Sequence, residues 1–191
     1  TADDLLELRE NFTVSAYAAL DYDAKGDNFA IFSNGWQNAG GISFGYNGFE
    51  HLFIVADVAG GDWIAVNVKK ALNDFEFKPT ELHNYTVTVK DGKNLKIYID
   101  GKEAYSHTFD EPINTLSSDS PFTLGSTYNG GYGWIGTIDE VKVYDYSLNA
   151  SQVKNLLVKK EEENNSGSGN ANKEIIAQYT FDNANRIGYD S

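Results

Sequence analysis

Tyr85-Thr86-Val87-Thr88-Val89-Lys90-Asp91-Gly92-Lys93-Asn94-Leu95-Lys96-Ile97-Tyr98-Ile99-Asp100-Gly101 is the stretch on which the fold turns. Tyr85, Val87 and Val89 alternate with Thr86, Thr88 and Lys90, so an extended chain carries the apolar set on one face and the polar set on the other. Asp91-Gly92 then supplies residues that accept the left-handed backbone of a tight hairpin, and Leu95, Ile97 and Ile99 carry the alternation back. A second pair, Asp100-Gly101, turns the chain again.

The same pattern extends outward. Upstream, Phe12, Val14, Ala16, Ala18 and Leu20 share one face of a first strand. Residues 29–32, 42–46, 52–58 and 64–68 follow, divided by Asn34-Gly35, Asn47-Gly48 and Gly60-Gly61. Downstream, residues 122–124 and 138–144 read as further strands, with Val141 and Val143 on one face of the second. Short alternating segments with turn signals every eight to twelve positions or so predict an all-β sandwich or barrel. Ser147-Leu148-Asn149 offers cap residues ahead of Val153, Leu156 and Leu157, which predicts one short C-terminal helix.

Residues 159–173 (KKEEENNSGSGNANK) contain no apolar side chain except Ala171 and read as a flexible linker after a folded domain over residues 1–158. Residues 174–191 return to strand character. This last segment either completes the sandwich before it or opens a following repeat. Ile175, Ala177, Tyr179 and Phe181 fall on one face, an apolar set suited to sealing a sandwich edge, and this favours the first reading.

Composition narrows the function classes. Lys and Arg number 15 against 28 Asp and Glu, a formal net charge of −13, which argues against a nucleic-acid partner because phosphate binding needs a basic face. No apolar run approaches the roughly 18 residues that cross a bilayer, so no membrane insertion is expected. The chain has no cysteine, which removes disulfides, thiolate zinc sites and cysteine nucleophiles. An acidic, Gly/Asn/Tyr-rich, cysteine-free chain that opens at Thr1 without methionine is expected to be part of a larger bacterial secreted or surface protein.

Four stretches carry a family resemblance. The run Gly136-Thr137-Ile138-Asp139-Glu140-Val141-Lys142-Val143-Tyr144-Asp145-Tyr146-Ser147-Leu148, followed by Asn149-Ala150-Ser151-Gln152-Val153, resembles the closing strand and helix of a laminin-G-like domain of the concanavalin A-like lectin/glucanase superfamily. The hairpin from Leu82 to Lys102 resembles that family's central pair, and Phe12-Thr13-Val14-Ser15-Ala16-Tyr17 its early strand, with Tyr17 where the family usually has tryptophan. Ile176-Ala177-Gln178-Tyr179-Thr180-Phe181-Asp182 resembles the opening strand, displaced to the far end of the chain. The resemblance implies a jelly-roll sandwich of two antiparallel sheets, often with a structural calcium ion and often serving as a carbohydrate-binding or adhesive module.

Glucanases of that superfamily use a Glu-x-Asp-x-x-Glu strand motif, which places alternate carboxylates on one face across the scissile bond. The sequence lacks it, and His51, His83 and His107 have no partner at motif spacing, so a non-catalytic protein is expected. Asp139 has the parity of Val141 and Val143. A carboxylate facing the core needs a compensating partner, and calcium, shared with Asp182, is one solution; the bland alternative is a carboxylate that accepts backbone N–H bonds. For a glycan, which offers an apolar face and a polar rim, the candidate contacts are Trp36, Trp63, Tyr128 and Tyr132, since all lie in Gly/Asn-rich loops or at exposed parity. Trp134 sits where the family has a core aromatic and is left out. A glycan or polysaccharide and neighbouring domains of a multimodular protein are the expected partners; a structural spacer or protein-binding domain is the competing reading.

Overall fold

The alternating segments become the strands of two antiparallel sheets in a computed structural model that describes residues 8, 10–22, 27–35, 40–48, 51–58, 61–114, 121–127, 129–158 and 175–179. Strands β1 (Phe12–Leu20), β6 (His83–Lys90), β7 (Asn94–Ile99), β8 (Lys102–Thr108), β10 (Gly136–Tyr144) and β11 (Ile175–Tyr179) form a six-stranded sheet in the order β11-β10-β1-β6-β7-β8. Strands β2 (Asn28–Ser33), β3 (Ile42–Asn47), β4 (His51–Ala56), β5 (Asp62–Asn67) and β9 (Thr123–Leu124) form a five-stranded sheet in the order β5-β4-β3-β2-β9. Pairing of β1 with both β6 and β10 brings distant parts of the chain together, as a jelly roll requires.

The hairpin that anchors the sequence reading forms as its residues dictate. Asp100 (φ 46°) and Gly101 (φ 71°) sit between the paired Ile99 and Lys102, both with the positive φ of a two-residue type I′ turn. Between the sheets, Val14, Ala16, Val87, Ile97, Val141 and Val143 from one side meet Phe29, Phe44, Tyr46, Leu52 and Ile54 from the other. Phe44 and Tyr85 touch across the layers with ring centroids 6.3 Å apart. Burial of each such large side chain contributes about 1.5–3 kcal/mol, which makes this interface the main source of stability.

Two short helices complete the described chain. Helix α2 (Ala150–Val158) is capped reciprocally: Gln152 N–H donates to Asn149 Oδ1 (3.0 Å) and Asn149 N–H to Gln152 Oε1 (2.9 Å). The expected strand over residues 64–68 instead stops at Asn67, whose Oδ1 accepts Lys70 N–H (2.8 Å) and starts a single helical turn, α1 (Val68–Ala71). A second helix was not expected from the sequence.

The parity assigned to Asp139 is corrected by the structure. Ser15 pairs with Lys142 but Tyr17 pairs with Asp139, so one intervening residue on β1 faces two on β10. This is a β-bulge, and Glu140 within it adopts φ 47°, the left-handed conformation that glycine usually supplies there. The extra residue shifts the alternation. Ile138, opposite Ala18, packs against the core with Val141 and Val143, while Asp139, opposite Tyr17, turns to the outer face. Its Oδ1 accepts Glu140 N–H (2.7 Å), so the burial argument for a cation at Asp139 falls with the parity.

Strand β11 pairs antiparallel with β10, Val141 opposite Tyr179, Lys142 opposite Gln178 and Val143 opposite Ala177. Residues 159–173, and residues 174–191 other than the backbone of β11, lie outside the described residues, as do Trp36, Tyr128 and Asp182.

Candidate functional site

The outer face of the five-stranded sheet is built from strand register alone. Directly opposed residues of antiparallel strands point to the same side. One row therefore runs Trp63, Val55, Ser43, Ser33 across β5 to β2. The next runs Ala65, Phe53, Gly45, Ala30, and a third Asn67, His51, Asn47, Asn28.

Each row has its own chemistry. Ala30, Phe53 and Val55 are buried together as a small apolar cluster separate from the main core. Trp63 stands beside them on the edge strand, 53% exposed, on the side opposite core-packed Ile64 and Val66. Around Phe53 the neighbours Gly45 and Ala30 are small, and all three are buried; Ala65, on the edge strand, is the exposed member of the middle row. Gly45 can carry nothing larger: a Cβ there would lie 2.0 Å from the Phe29 carbonyl oxygen.

Tyr132 reaches this face from the loop between β9 and β10. Its ring meets Phe53 edge-on at 6.4 Å, its carbonyl accepts Ala30 N–H (2.8 Å), and it remains 44% exposed. The loop is held from within: Thr127 N–H donates to the Gly131 carbonyl (2.8 Å), and Gly131 N–H to Asn129 Oδ1 (3.2 Å). Trp134 pins its far end, with Nε1–H donating to the Ala19 carbonyl (3.2 Å) and its ring against Phe29. Tyr132 itself sits at φ 49°, a conformation that costs a non-glycine residue about 1–2 kcal/mol and is held only because the surroundings fix it.

The third row is polar. Asn67 Oδ1 is committed to capping α1, which fixes the amide so that its Nδ2–H donates to His51 Nε2 (3.3 Å). Asn47 Oδ1 is buried with no hydrogen-bond partner among the described residues. At the opposite end, Ser33 and Ser43 bond to each other (2.6 Å) and to the Gly35 carbonyl, which folds the start of the β2–β3 loop over that end.

Of the residues singled out from the sequence, Trp63 and Tyr132 therefore come to one face. Trp36, Tyr128 and Asp182 lie outside the described residues, and Asp139 lies on the other sheet. Among the described residues no three acid or histidine side chains stand together as a metal site. The sequence reading missed Phe53, Gly45, Asn47 and His51. A signal for Phe53 was present: residues 52–56 are apolar at every position, which marks a strand covered on both faces.

No curated protein sequence matches the chain. Among solved structures, domain 4 of an extracellular arabinanase from Geobacillus stearothermophilus, in complex with arabinotriose, superposes with a TM-score of 0.59 at 21% identity, over 80% of this chain and 68% of that one. The CBM40 of a Ruminococcus gnavus sialidase, bound to sialyllactose, gives 0.59 at 12% identity over 79% and 84%. A candidate carbohydrate binding protein from Bacteroides ovatus gives 0.61 at 17% identity over 92% of this chain, which spans only 46% of that protein's length. At these identities the likeness is one of fold. A family model, Laminin_G_3, described as the concanavalin A-like lectin/glucanases superfamily, matches residues 1–154, and the chain belongs to that family.

Proposed function

We propose that this chain is a non-catalytic carbohydrate-binding module, part of a larger secreted or surface-attached bacterial protein, and that it binds glycan on the outer face of the five-stranded sheet. One observation carries this reading: Trp63 and Tyr132, both well exposed, stand on the same face around Phe53, beside a row of amide and imidazole groups. A sugar ring stacks its C–H face on an aromatic ring and uses its hydroxyls on such a polar rim. The solved relatives named for carbohydrate binding support it as likenesses of fold. The absence of a carboxylate pair at the glucanase spacing supports a non-catalytic role. So does His83, whose ring nitrogens are taken up by Asp100 Oδ2 (2.8 Å) and the Lys78 carbonyl (3.2 Å).

A glycan array followed by calorimetry tests the reading. Binding that is lost in Trp63→Ala supports it; no binding to any plant or host-type glycan, with and without calcium, would leave the structural spacer as the better account. Calcium at Asp139 with Asp182 is a separate proposal, which rests on the family resemblance and not on the burial of Asp139. A melting temperature that falls on chelation in the native chain but not in Asp139→Asn favours it. Identical melts reject it.

A further inference from the structure

We infer that this face selects uncharged glycans and excludes uronic, sialylated and sulfated ones; the inference rests on the carbohydrate reading and names the substrate class of the same site. The rows from Trp63 to Ser33, from Ala65 to Ala30 and from Asn67 to Asn28 contain no Asp, Glu, Lys or Arg. The one titratable side chain among them, His51, has its Nε2 3.3 Å from the Asn67 amide nitrogen, and the orientation of that amide is fixed by its cap to Lys70 N–H. A carboxylate or sulfate in a site is normally met by guanidinium or ammonium groups, with arginine forming paired bonds to the two oxygens. The rows offer no such group.

The ends of the face add repulsion. Asp27, which is exposed, precedes β2 at the polar end, and Asp57 follows β4 at the other with the parity of Val55. Lys69 and Lys70 follow the polar end on α1, but the protein as a whole carries −13. In the polar row Asn67 Oδ1 is spent on its cap and Asn47 Oδ1 is buried, so the row brings no fixed charge to a ligand.

Calorimetry on the whole chain decides it, with arabinotriose, xylotetraose and cellotetraose as neutral probes and trigalacturonate and sialyllactose as anionic ones. The expected result is a neutral probe that binds about tenfold or more tighter than either anion, with an affinity nearly unchanged by salt because no charge pair is being screened. An Ala65→Lys variant, which adds one cation to an exposed position of the face, should raise affinity for trigalacturonate severalfold. An anionic probe that binds the native chain as tightly as any neutral one, or an Ala65→Lys variant with no gain for anions, overturns the inference and leaves the carbohydrate reading standing. If neither class binds, the carbohydrate reading fails and the inference with it.

Discussion

The two sheets have the same inner chemistry and opposite outer ones. On the six-stranded sheet, Ser15, Asn84 and Thr86 point outward yet are fully buried, and they satisfy one another: Asn84 Nδ2–H donates to Ser15 Oγ (3.0 Å) and Thr86 Oγ1 to Asn84 Oδ1 (2.9 Å). Beside them Thr13 Oγ1 donates to the Tyr146 carbonyl and accepts Leu148 N–H, both at 2.9 Å, which fastens the chain leading into α2. Tyr98, Tyr144, Leu148 and Val153 then form a small core of their own under the helix. The outer face of the five-stranded sheet has exposed rings and an unmatched amide oxygen instead. Each buried polar group left unpaired costs about 1–3 kcal/mol; the six-stranded sheet matches its own, whereas on the five-stranded sheet Asn47 Oδ1 is a buried exception among the described residues.

This contrast can be broken at several points. The largest effect is expected from ending the chain after residue 158, which removes β11 and leaves β10 as an unpaired edge beside buried Val141 and Val143. Loss of stability of several kcal/mol in chemical denaturation is expected, at about 1.5–3 kcal/mol for each large apolar side chain uncovered. A truncated chain as stable as the full one would assign β11 to a neighbouring repeat.

Gly45→Ala comes next. Its Cβ has no room against the Phe29 carbonyl, so the β2–β3 pairing must shift, at a cost of about 3 kcal/mol. An unchanged denaturation midpoint would mean that the β2–β3 pairing yields easily. On the closed face, Thr86→Val strands Asn84 Oδ1 and should cost about 1–3 kcal/mol while leaving glycan binding intact. Reduced binding in a folded Thr86→Val chain would move the site to the six-stranded sheet.

Acid should act on the closed face too. Burial pushes the Asp100 carboxyl up, but hydrogen bonds from His83 and Asn84 N–H, with the charges of His83 and Lys102, outweigh it and hold the group below its usual value. The unfolded chain therefore takes up this proton first as pH falls, and the contribution of Asp100, complete above its unfolded pKa, is lost below about pH 4. Asp100→Asn should flatten the acid limb of the stability profile; an acid limb of unchanged slope would show that other carboxyls set it. The smallest stability effect is expected from Trp63→Ala, within about 0.5 kcal/mol because the ring is mostly exposed, though it should abolish binding. A large loss of stability would mark Trp63 as structural.

Much of the fold was legible because strand alternation and turn chemistry are local. Tyr85 to Gly101 spells its own hairpin, and Trp63 could be placed on the outer side by parity against Ile64 and Val66. Asp139 failed by the same rule. A single extra residue at Glu140 reverses parity for everything before it, and nothing in Ile-Asp-Glu-Val marks the bulge, since a glycine there would have been the signal and a glutamate takes its place. Phe53 was visible in an all-apolar run but not its partner Tyr132, because the two are joined through a loop and not by pairing.

By itself, then, the sequence determined the period-two strands, the Asp-Gly turns, the short helix after residues 147–149 and the family, all set by neighbours within a few positions or by a pattern repeated along the chain. Tertiary structure alone decided that β1 lies between β6 and β10 and that the bulge turns Asp139 outward. It also decided which rings stay exposed, Trp63 and Tyr132 beside the buried Phe53. These outcomes depend on contacts between residues far apart in the chain, such as Thr13 with Leu148 and Ala30 with Tyr132. Local propensity carries no information about which distant partner will cover a given face.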